Sequence, residues 1–465
     1  MKTESYPIKL LMLTLLLAGL TGISAYAQDG SLKVGAARID ITPQADPDNP
    51  PMGKYEHEKL FARAIVLDNG VSKAVLIGID AGGLNNEAYK ETVSRIGKQI
   101  NCPAENVIMS ATHTHSGDRS ATPETIAEVF MSAVKQANAN LKPARVGYGT
   151  GTSYLNVNRD VISKETRLWT QAANPEGPSD KTLAIMMFTD DQGKPIAGYM
   201  NYAMHPVNAF LAGFTTADFP GAACRYIENA FDDDMVMIFT QGASGDQNPL
   251  YLRTGTNVMA SRGGLEITGF EMNRENAEAP LRNRRGMEIP NPDPEVALVL
   301  ERYIDALGVI LGEEAIRVMS NIDNLDNHVR ISGKQETLTV PGRVRTNEGR
   351  EGSPGTYEDG DPVDIQLGFL GIGDIALATI NAEVYNIIAQ QVKEASPMAN
   401  TMVVTLSNGR AASGYIADDA SYGHYTFQVL GSRLQPGHAE QGIVKGLRGL
   451  IEDYNEKGTI QHSDK

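Results

Sequence analysis

The chain has 465 residues, of which 41% are hydrophobic and 21% are charged, and these proportions are those of a folded globular protein. Its formal net charge of −16 argues against a nucleic-acid partner, because a phosphate backbone is bound by a cationic surface.

The first 27 residues have the three parts of a secretory signal peptide. Lys2 and Lys9 precede the apolar run Leu10 to Leu20, and small residues follow up to Ala27. The apolar run is too short for a typical membrane-spanning helix. We therefore expect an exported protein, periplasmic or secreted, that begins at Gln28 and has no transmembrane segment in its mature chain.

Strand and helix patterns alternate through the first half of the mature chain. Two apolar runs separated by Asp68-Asn-Gly70 predict a β-hairpin, since Asn-Gly is a strong turn signal. The predicted strands cover 31–43, 61–67, 74–79, 107–111, 144–148, 184–188, 195–203 and 235–239, and the predicted helices cover 87–100, 126–137 and 219–230. This alternation predicts an α/β fold with mixed strand pairing.

The second half begins with a polar stretch, 252–293, whose Asn, Arg, Gly and Pro residues predict a long surface loop. A helix is predicted to begin at Pro294, because proline is favoured in the first turn of a helix. The remaining predicted elements are that helix over 294–318, strands over 329–340, 366–370, 375–380 and 402–406, a polar loop over 345–361, and a helix over 383–394.

The two cysteines, Cys102 and Cys224, allow two interpretations. Export permits a disulfide bond between them, and burial as two free thiols is equally compatible with the sequence. Neither lies in a metal-binding spacing, since the chain has no C-x-x-C motif.

Two histidines lie in the segment Ser110-Ala-Thr-His-Thr-His-Ser-Gly117, directly after a short apolar strand. In extended geometry His113 and His115 point to the same face of the chain. Loops at strand ends often carry functional sites in α/β proteins, and imidazole nitrogen is a good zinc ligand. A metal site is therefore one interpretation of this segment, and two hydrogen-bonded loop histidines are the other.

Two further motifs follow predicted strands. The segment Asn201-Tyr-Ala-Met-His205-Pro carries a third histidine, which taken alone is also consistent with an ordinary core residue. In the segment Gln241 to Pro249, one interpretation is that Asp246 holds an imidazole N–H, and a tight structural turn is the other. The chain contains no G-x-S-x-G, H-E-x-x-H or Walker motif, which argues against serine hydrolases, zincin proteases and nucleoside triphosphatases.

Taken in order, these motifs resemble the neutral/alkaline, non-lysosomal ceramidase family. The matching segments are Ile39-Asp-Ile-Thr-Pro43, Ala111 to Gly117, Asn158-Arg159, Asn201 to Pro206, Gln241 to Pro249, Ala382-Glu383-Val384 and Gly414-Tyr415-Ile416 through Tyr422. The most specific of them is His-Thr-His-Ser-Gly. The resemblance implies the family's catalytic N-terminal domain, an α/β unit of stacked mixed β-sheets flanked by helices, with the metal site at loop ends above the strands.

The resemblance also implies a zinc ion held by His113, His205, Glu383 and Tyr415. Each of these residues has an ordinary structural explanation when taken alone; a carboxylate at a helix N-terminus, for example, is favoured by the helix dipole. The implied reaction is cleavage of the N-acyl amide bond of a ceramide-like lipid by metal-activated water. His115 would then transfer a proton, and Arg159 or Tyr415 would stabilise the developing oxyanion.

This sequence departs from the family at two places. Asn248 stands where the family has a serine, and we expect its amide to orient the substrate or a ligand histidine. The family also continues into a C-terminal β domain, whereas we expect 28–465 to form a single catalytic domain without it. These departures leave two alternatives: an ester or non-ceramide N-acyl hydrolase, or a catalytically inactive binding protein.

Overall fold

The computed structural model describes residues 30–43, 55–117, 122–209, 214–252, 267–268, 271–272, 281–282, 288–289, 294–349 and 351–463. The predicted signal peptide and most of the predicted loop at 252–293 lie outside these residues. Within them, no helix has the length and apolar character needed to cross a membrane.

The first of three main sheets contains the predicted hairpin. Its strands lie in the spatial order Val107–Ala111, Lys73–Ile79, Phe61–Asp68, Lys33–Asp40 and Lys142–Pro143. Gly70 in the hairpin turn has a φ of 79°, which glycine adopts without steric cost. Strand Lys73–Ile79 runs parallel to Val107–Ala111, and the other pairs are antiparallel.

The second and third sheets are also mixed. The second sheet has the strand order Val236–Gln241, Pro195–Tyr202, Thr182–Thr189 and Arg145–Thr152. The third has the order Ile331–Arg345, Tyr357–Ile372, Ile375–Ile380 and Asn400–Val404. In each of these sheets one adjacent pair of strands is parallel: Pro195–Tyr202 with Val236–Gln241, and Ile375–Ile380 with Asn400–Val404.

Each sheet packs one face on helices and the other on a shared core. In strand Phe61–Asp68, Ile65 and Leu67 contact the shared core, while Ala64 and Val66 face the helices. Successive side chains of a strand point to opposite faces, so a strand buried on both sides is apolar throughout. The helices are Asn86–Ile100 and Pro123–Ala139 on the first sheet, Asp218–Ala230 and Pro294–Met319 on the second, and Asn386–Ala395 and Ala439–Ser463 on the third.

The remaining elements are small. One is a three-stranded sheet in the order Trp169–Asn174, Asn156–Ile162 and Gln247–Pro249. Five are two-stranded pairs: Gly30–Ser31 with His328–Val329, Tyr55–Glu56 with Phe214–Thr215, Ile267–Thr268 with Glu271–Met272, Leu281–Arg282 with Glu288–Ile289, and Glu383–Val384 with Tyr415–Ile416. The short helices are Ala104–Asn106, Asp419–Gly423 and Phe427–Gly431. Cys102 and Cys224 are both free and buried, so the two do not form a disulfide bond.

This arrangement confirms the predicted fold class, and two local predictions are wrong. The polar loop predicted over 345–361 is shorter, because Tyr357–Ile372 continues a strand paired with Ile331–Arg345. The loop was predicted because this stretch has few apolar side chains, but backbone hydrogen bonds can pair the strands of a solvent-facing hairpin without them. The helix predicted to begin at Glu383 begins at Asn386, and Glu383 instead lies on a short strand parallel to Tyr415–Ile416.

Candidate metal centre

The ends of three parallel-paired strands, one from each main sheet, meet at the candidate site. Strand Val107–Ala111 leads to His113, strand Pro195–Tyr202 leads to His205, and strand Ile375–Ile380 leads to Glu383. All three side chains therefore follow the carboxyl end of a strand, where α/β sheets commonly bind ligands. All three residues are buried, at 5%, 1% and 9% exposure respectively, so their polar atoms need partners inside the protein.

His113 reaches the centre through an unusual backbone conformation. Its φ is 69°, in the left-handed region, so the expectation of extended geometry for the His-Thr-His segment is wrong. The backbone N–H of His113 donates to the carbonyl oxygen of Ala81 at 2.9 Å, and its Nδ1 donates to that of Gly82 at 2.6 Å. These bonds hold the ring with Nε2 facing the centre.

His205 is oriented by carbonyl groups of the segment that follows strand Val236–Gln241. Its Nδ1 lies 2.6 Å from the carbonyl oxygen of Ser244 and 3.2 Å from that of Gln247. Burial, followed by the charge of Arg159, lowers the pKa of His205 to about 4, so its imidazole is neutral at neutral pH. A neutral imidazole with Nδ1 bonded to a carbonyl offers the Nε2 lone pair as a metal ligand.

Asp246 does not hold a histidine ring, so that prediction is wrong. Its carboxylate accepts one hydrogen bond from Asn158 Nδ2 and one from the backbone N–H of Asn386, both at 2.8 Å. Burial raises the pKa of Asp246 to about 7. The carboxylate therefore links the loop at 242–246 to the first turn of helix Asn386–Ala395, while main-chain carbonyl groups orient His205.

Glu383 connects two of the histidines. Its Oε2 lies 3.2 Å from His113 Nε2 and 3.1 Å from His205 Nε2. Burial by itself raises the pKa of this carboxyl, but the two imidazoles outweigh it and hold the pKa well below its usual range. Glu383 is thus an ionised carboxylate that shares one focal point with two imidazole nitrogens.

His115 brings a third imidazole to the same point. Its Nε2 lies 3.3 Å from His113 Nε2, and the ligand atoms of His113, His115 and His205 all lie within 4.8 Å of one another. The backbone N–H of His115 donates to the carbonyl oxygen of Pro206 at 3.3 Å, which ties the two histidine-bearing loops together. The geometry therefore makes His115 a candidate for direct metal contact as well as for proton transfer.

The donor set fits a zinc ion. Ligand atoms around a tetrahedral zinc with bonds of about 2.0–2.1 Å stand roughly 3.3 Å apart. Three of the donor spacings at this centre are 3.1, 3.2 and 3.3 Å, and each joins nitrogen or carboxylate atoms, which zinc prefers. Two of these spacings share a single carboxylate oxygen, Glu383 Oε2.

Tyr415, Arg159 and Asn248 lie beside this centre. The Tyr415 hydroxyl is hydrogen-bonded to Glu383 and lies 3.4 Å from Arg159 Nη2. Arg159 is 3% exposed, donates from Nη2 to the carbonyl oxygen of Gly245 and from Nη1 to Asn248 Oδ1 at 3.2 Å. The side chain of Asn248 thus bonds the guanidinium group beside Tyr415, and the expected bond to a ligand histidine is not among its contacts.

Gln241 is a positioning residue that the sequence motif contained but did not single out. Its side chain is fully buried, and its Nε2 donates to the carbonyl oxygens of Thr112 and Met204, both at 2.9 Å. Its own carbonyl oxygen accepts from the N–H of Thr405, next to the third sheet. One amide therefore joins the residues that precede His113 and His205. The signal available in the sequence was a glutamine directly after an apolar strand.

Comparisons with known proteins agree with this geometry. Residues 45–261 match the family model for the N-terminal part of neutral/alkaline non-lysosomal ceramidases. The neutral ceramidase of Drosophila pseudoobscura pseudoobscura is 26% identical over 307 residues, 57% of this chain and 41% of that protein. The neutral ceramidase of Pseudomonas aeruginosa is 24% identical over 284 residues, 53% of this chain and 41% of that protein. The chain thus spans about two fifths of the length of these relatives.

A solved structure described as a ceramidase complexed with C2 has the same fold. It superposes with a TM-score of 0.69 over 92% of this chain and 76% of that chain, at 15% sequence identity. The three comparisons agree: residues 45–261 match the N-terminal part of neutral/alkaline non-lysosomal ceramidases, and the chain is similar to neutral ceramidases in sequence and in fold.

Proposed function

We propose that this protein is an exported, zinc-dependent hydrolase that cleaves the N-acyl amide bond of ceramide-like lipids. The observation that carries the proposal is the convergence of His113 Nε2, His205 Nε2 and Glu383 Oε2 within 3.2 Å contacts. The relatives' shared name, neutral ceramidase, supports the substrate class. We further propose that 28–465 act as one catalytic domain.

In this proposal zinc is held by His113, His205, Glu383 and Tyr415. When bound, zinc supplies Lewis acidity, which lowers the pKa of a ligated water to about 7 and polarises an acyl carbonyl. The Gly82 and Ser244 carbonyl groups keep both ligand imidazoles in the tautomer that offers Nε2. These bonds fix the orientation of both imidazole rings.

The neighbouring side chains supply proton transfer and hydrogen bonding. His115 Nε2, at 3.3 Å from His113 Nε2, would take the proton lost by the attacking water and deliver it to the leaving amine. Arg159 lies 3.4 Å from the Tyr415 hydroxyl and adds positive charge where the oxyanion develops. Asn248 and Asp246 act through other residues. Asn248 accepts a hydrogen bond from Arg159, and Asp246 fixes the loop whose carbonyl groups orient His205.

Metal content and hydrolysis of a substrate panel test this function together. The purified protein is expected to retain about one zinc per chain. It should release fatty acid from N-acyl sphingosines faster than from N-acyl amino acids or acyl esters of the same chain length. A protein with full zinc that prefers esters would support the alternative substrate class. Absence of both zinc and hydrolysis would support the inactive binding protein.

Asn248 supplies a matched variant for the substrate panel. The residue replaces the family's serine, and its Oδ1 accepts a hydrogen bond from Arg159 at 3.2 Å. If this position tunes substrate choice, Asn248→Ser should raise ceramide hydrolysis relative to the other acyl substrates without releasing zinc. An unchanged preference in this variant would mean that Asn248 has only a structural role.

The export proposal has a separate test. It is supported by the signal-peptide pattern of Lys2, Lys9, the apolar run and Ala27. N-terminal sequencing of protein recovered from outside the cytoplasm should begin at or near Gln28. Recovery of chains that retain Met1, found only in the cytoplasm, would contradict it.

A further inference from the structure

A hairpin next to the candidate metal centre ends in an exposed apolar tip. Strands Asn156–Ile162 and Trp169–Asn174 pair with Ile162 opposite Trp169. At the tip, Ile162 is 50% exposed and Leu168 is 45% exposed. Single exposed apolar residues are common on protein surfaces, whereas neighbouring ones at the end of one hairpin indicate an interaction surface.

The tip is ordered rather than loosely extended. The N–H of Ser163 donates to the carbonyl oxygen of Leu168 at 2.8 Å, and the N–H of Arg167 donates to that of Ser163 at 2.9 Å. The Trp169 ring stacks on His424 with centroids 3.9 Å apart and planes 19° from parallel. His424 Nδ1 in turn lies 3.4 Å from the buried Asp160 carboxylate. The stacking of Trp169 on His424 therefore fixes the tip to the body of the protein.

The charge of the tip is opposite to that of the protein. The chain has 57 acidic and 41 basic residues, yet the exposed turn carries Lys164 and Arg167 against the single acid Glu165. Within the described part of the chain neither cation makes an ion pair, whereas the Glu165 carboxylate accepts a hydrogen bond from Ser163. Basic and aromatic side chains beside apolar ones are the combination found at the interface of anionic membranes.

The tip is also continuous with the candidate site. Arg159, which contacts Tyr415, lies three residues before Ile162 on the same strand. A strand rises about 3.3 Å per residue, so Arg159 and Ile162 at the tip are separated by roughly 10 Å of extended chain. A surface that receives the tip is therefore brought close to the residues that would bind a lipid substrate.

We propose that this tip, formed by Ile162, Lys164, Arg167, Leu168 and Trp169, docks on the surface of an anionic lipid bilayer. The proposal rests on the proposed function, because a lipid substrate is what the docked enzyme would draw from that bilayer. In this arrangement Ile162 and Leu168 enter the apolar boundary, and Lys164 and Arg167 contact anionic headgroups.

Trp169 makes the test direct, because it is the single tryptophan in the chain. Vesicles of equal parts phosphatidylcholine and phosphatidylglycerol should shift its fluorescence emission to shorter wavelength and sediment with the protein. Vesicles of phosphatidylcholine alone should do so more weakly. Ile162→Glu/Leu168→Glu should reduce the vesicle partition coefficient at least about tenfold, since two apolar side chains no longer leave water.

Two further variants separate charge from general surface effects. Lys164→Gln/Arg167→Gln should abolish the preference for phosphatidylglycerol vesicles, a loss of about tenfold at low salt. Val71→Glu/Ile310→Glu is the matched control, because these residues are 55% and 54% exposed on other elements. This control should bind vesicles as the unmodified protein does.

Hydrolysis of a short, water-soluble N-acyl substrate distinguishes failure of docking from failure of the proposed function. All variants should hydrolyse it alike, because none of the changed residues lies in the metal centre. Equal vesicle binding by the unmodified protein and Ile162→Glu/Leu168→Glu, or no vesicle binding at all, would overturn docking. Loss of vesicle binding in the control variant would also overturn docking. The same holds if the unmodified protein is a dimer and Ile162→Glu/Leu168→Glu loses the dimer while its vesicle binding is unchanged. Docking without hydrolysis would overturn the proposed enzyme alone.

Discussion

Alanine at His113 or at His205 is expected to strip the purified protein of zinc and to reduce N-acyl hydrolysis to background. Each imidazole contributes one Nε2 atom to a buried centre, and Glu383 Oε2 lies 3.2 and 3.1 Å from these atoms. Loss of a residue that merely orients a ligand weakens metal binding about 10–100-fold, so loss of the ligand itself should cost more. Zinc content by mass spectrometry and initial rates at saturating substrate measure the two effects.

The control for this experiment is His328→Ala, which removes an exposed histidine from strand His328–Val329. It should leave zinc content and rate unchanged. Circular dichroism should report a folded protein for every variant, since the strands that carry the two ligands are held by their own backbone pairing. Full zinc occupancy in the double variant His113→Ala/His205→Ala would disprove the ligand assignment.

Alanine at His115 and phenylalanine at Tyr415 are expected to separate catalysis from metal binding. If His115 transfers the proton, His115→Ala should keep its zinc and lose about 10²–10⁴-fold in turnover. Tyr415→Phe removes the phenolic oxygen while keeping the ring that packs edge-on against Phe427, so it should lower both zinc retention and turnover. The comparison is needed because His115 Nε2 is itself 3.3 Å from His113 Nε2.

The opposite result for these two variants would exchange the roles of His115 and Tyr415. Loss of zinc in His115→Ala, with zinc retained in Tyr415→Phe, would make the third imidazole a ligand and leave the Tyr415 hydroxyl as a hydrogen-bond donor to the oxyanion. Tyr154→Phe provides the matched control, because Tyr154 is 69% exposed and lies outside the candidate centre. Its zinc content and turnover should equal those of the unmodified protein.

Local patterns predicted most of the secondary structure that carries the site. The Asn-Gly turn marked the hairpin of the first sheet, and apolar runs located strands such as Val107–Ala111 and Ile375–Ile380. Backbone periodicity and turn propensity are local properties, so the sequence by itself records them. Strands with few apolar residues were missed, including Gln247–Pro249 and Trp169–Asn174, because their pairing is decided by neighbouring strands.

The sequence alone also determined the order and chemistry of the candidate ligands, whereas only the tertiary structure decided how they meet. Glu383 contacts His205 across 178 residues of chain, and no spacing rule predicts that distance. The contact arises because three sheets pack on one core and so bring the carboxyl ends of three strands together. The left-handed backbone of His113 likewise depends on its hydrogen bonds to Ala81 and Gly82. Long-range packing selects such conformations, and a local pattern does not contain that information.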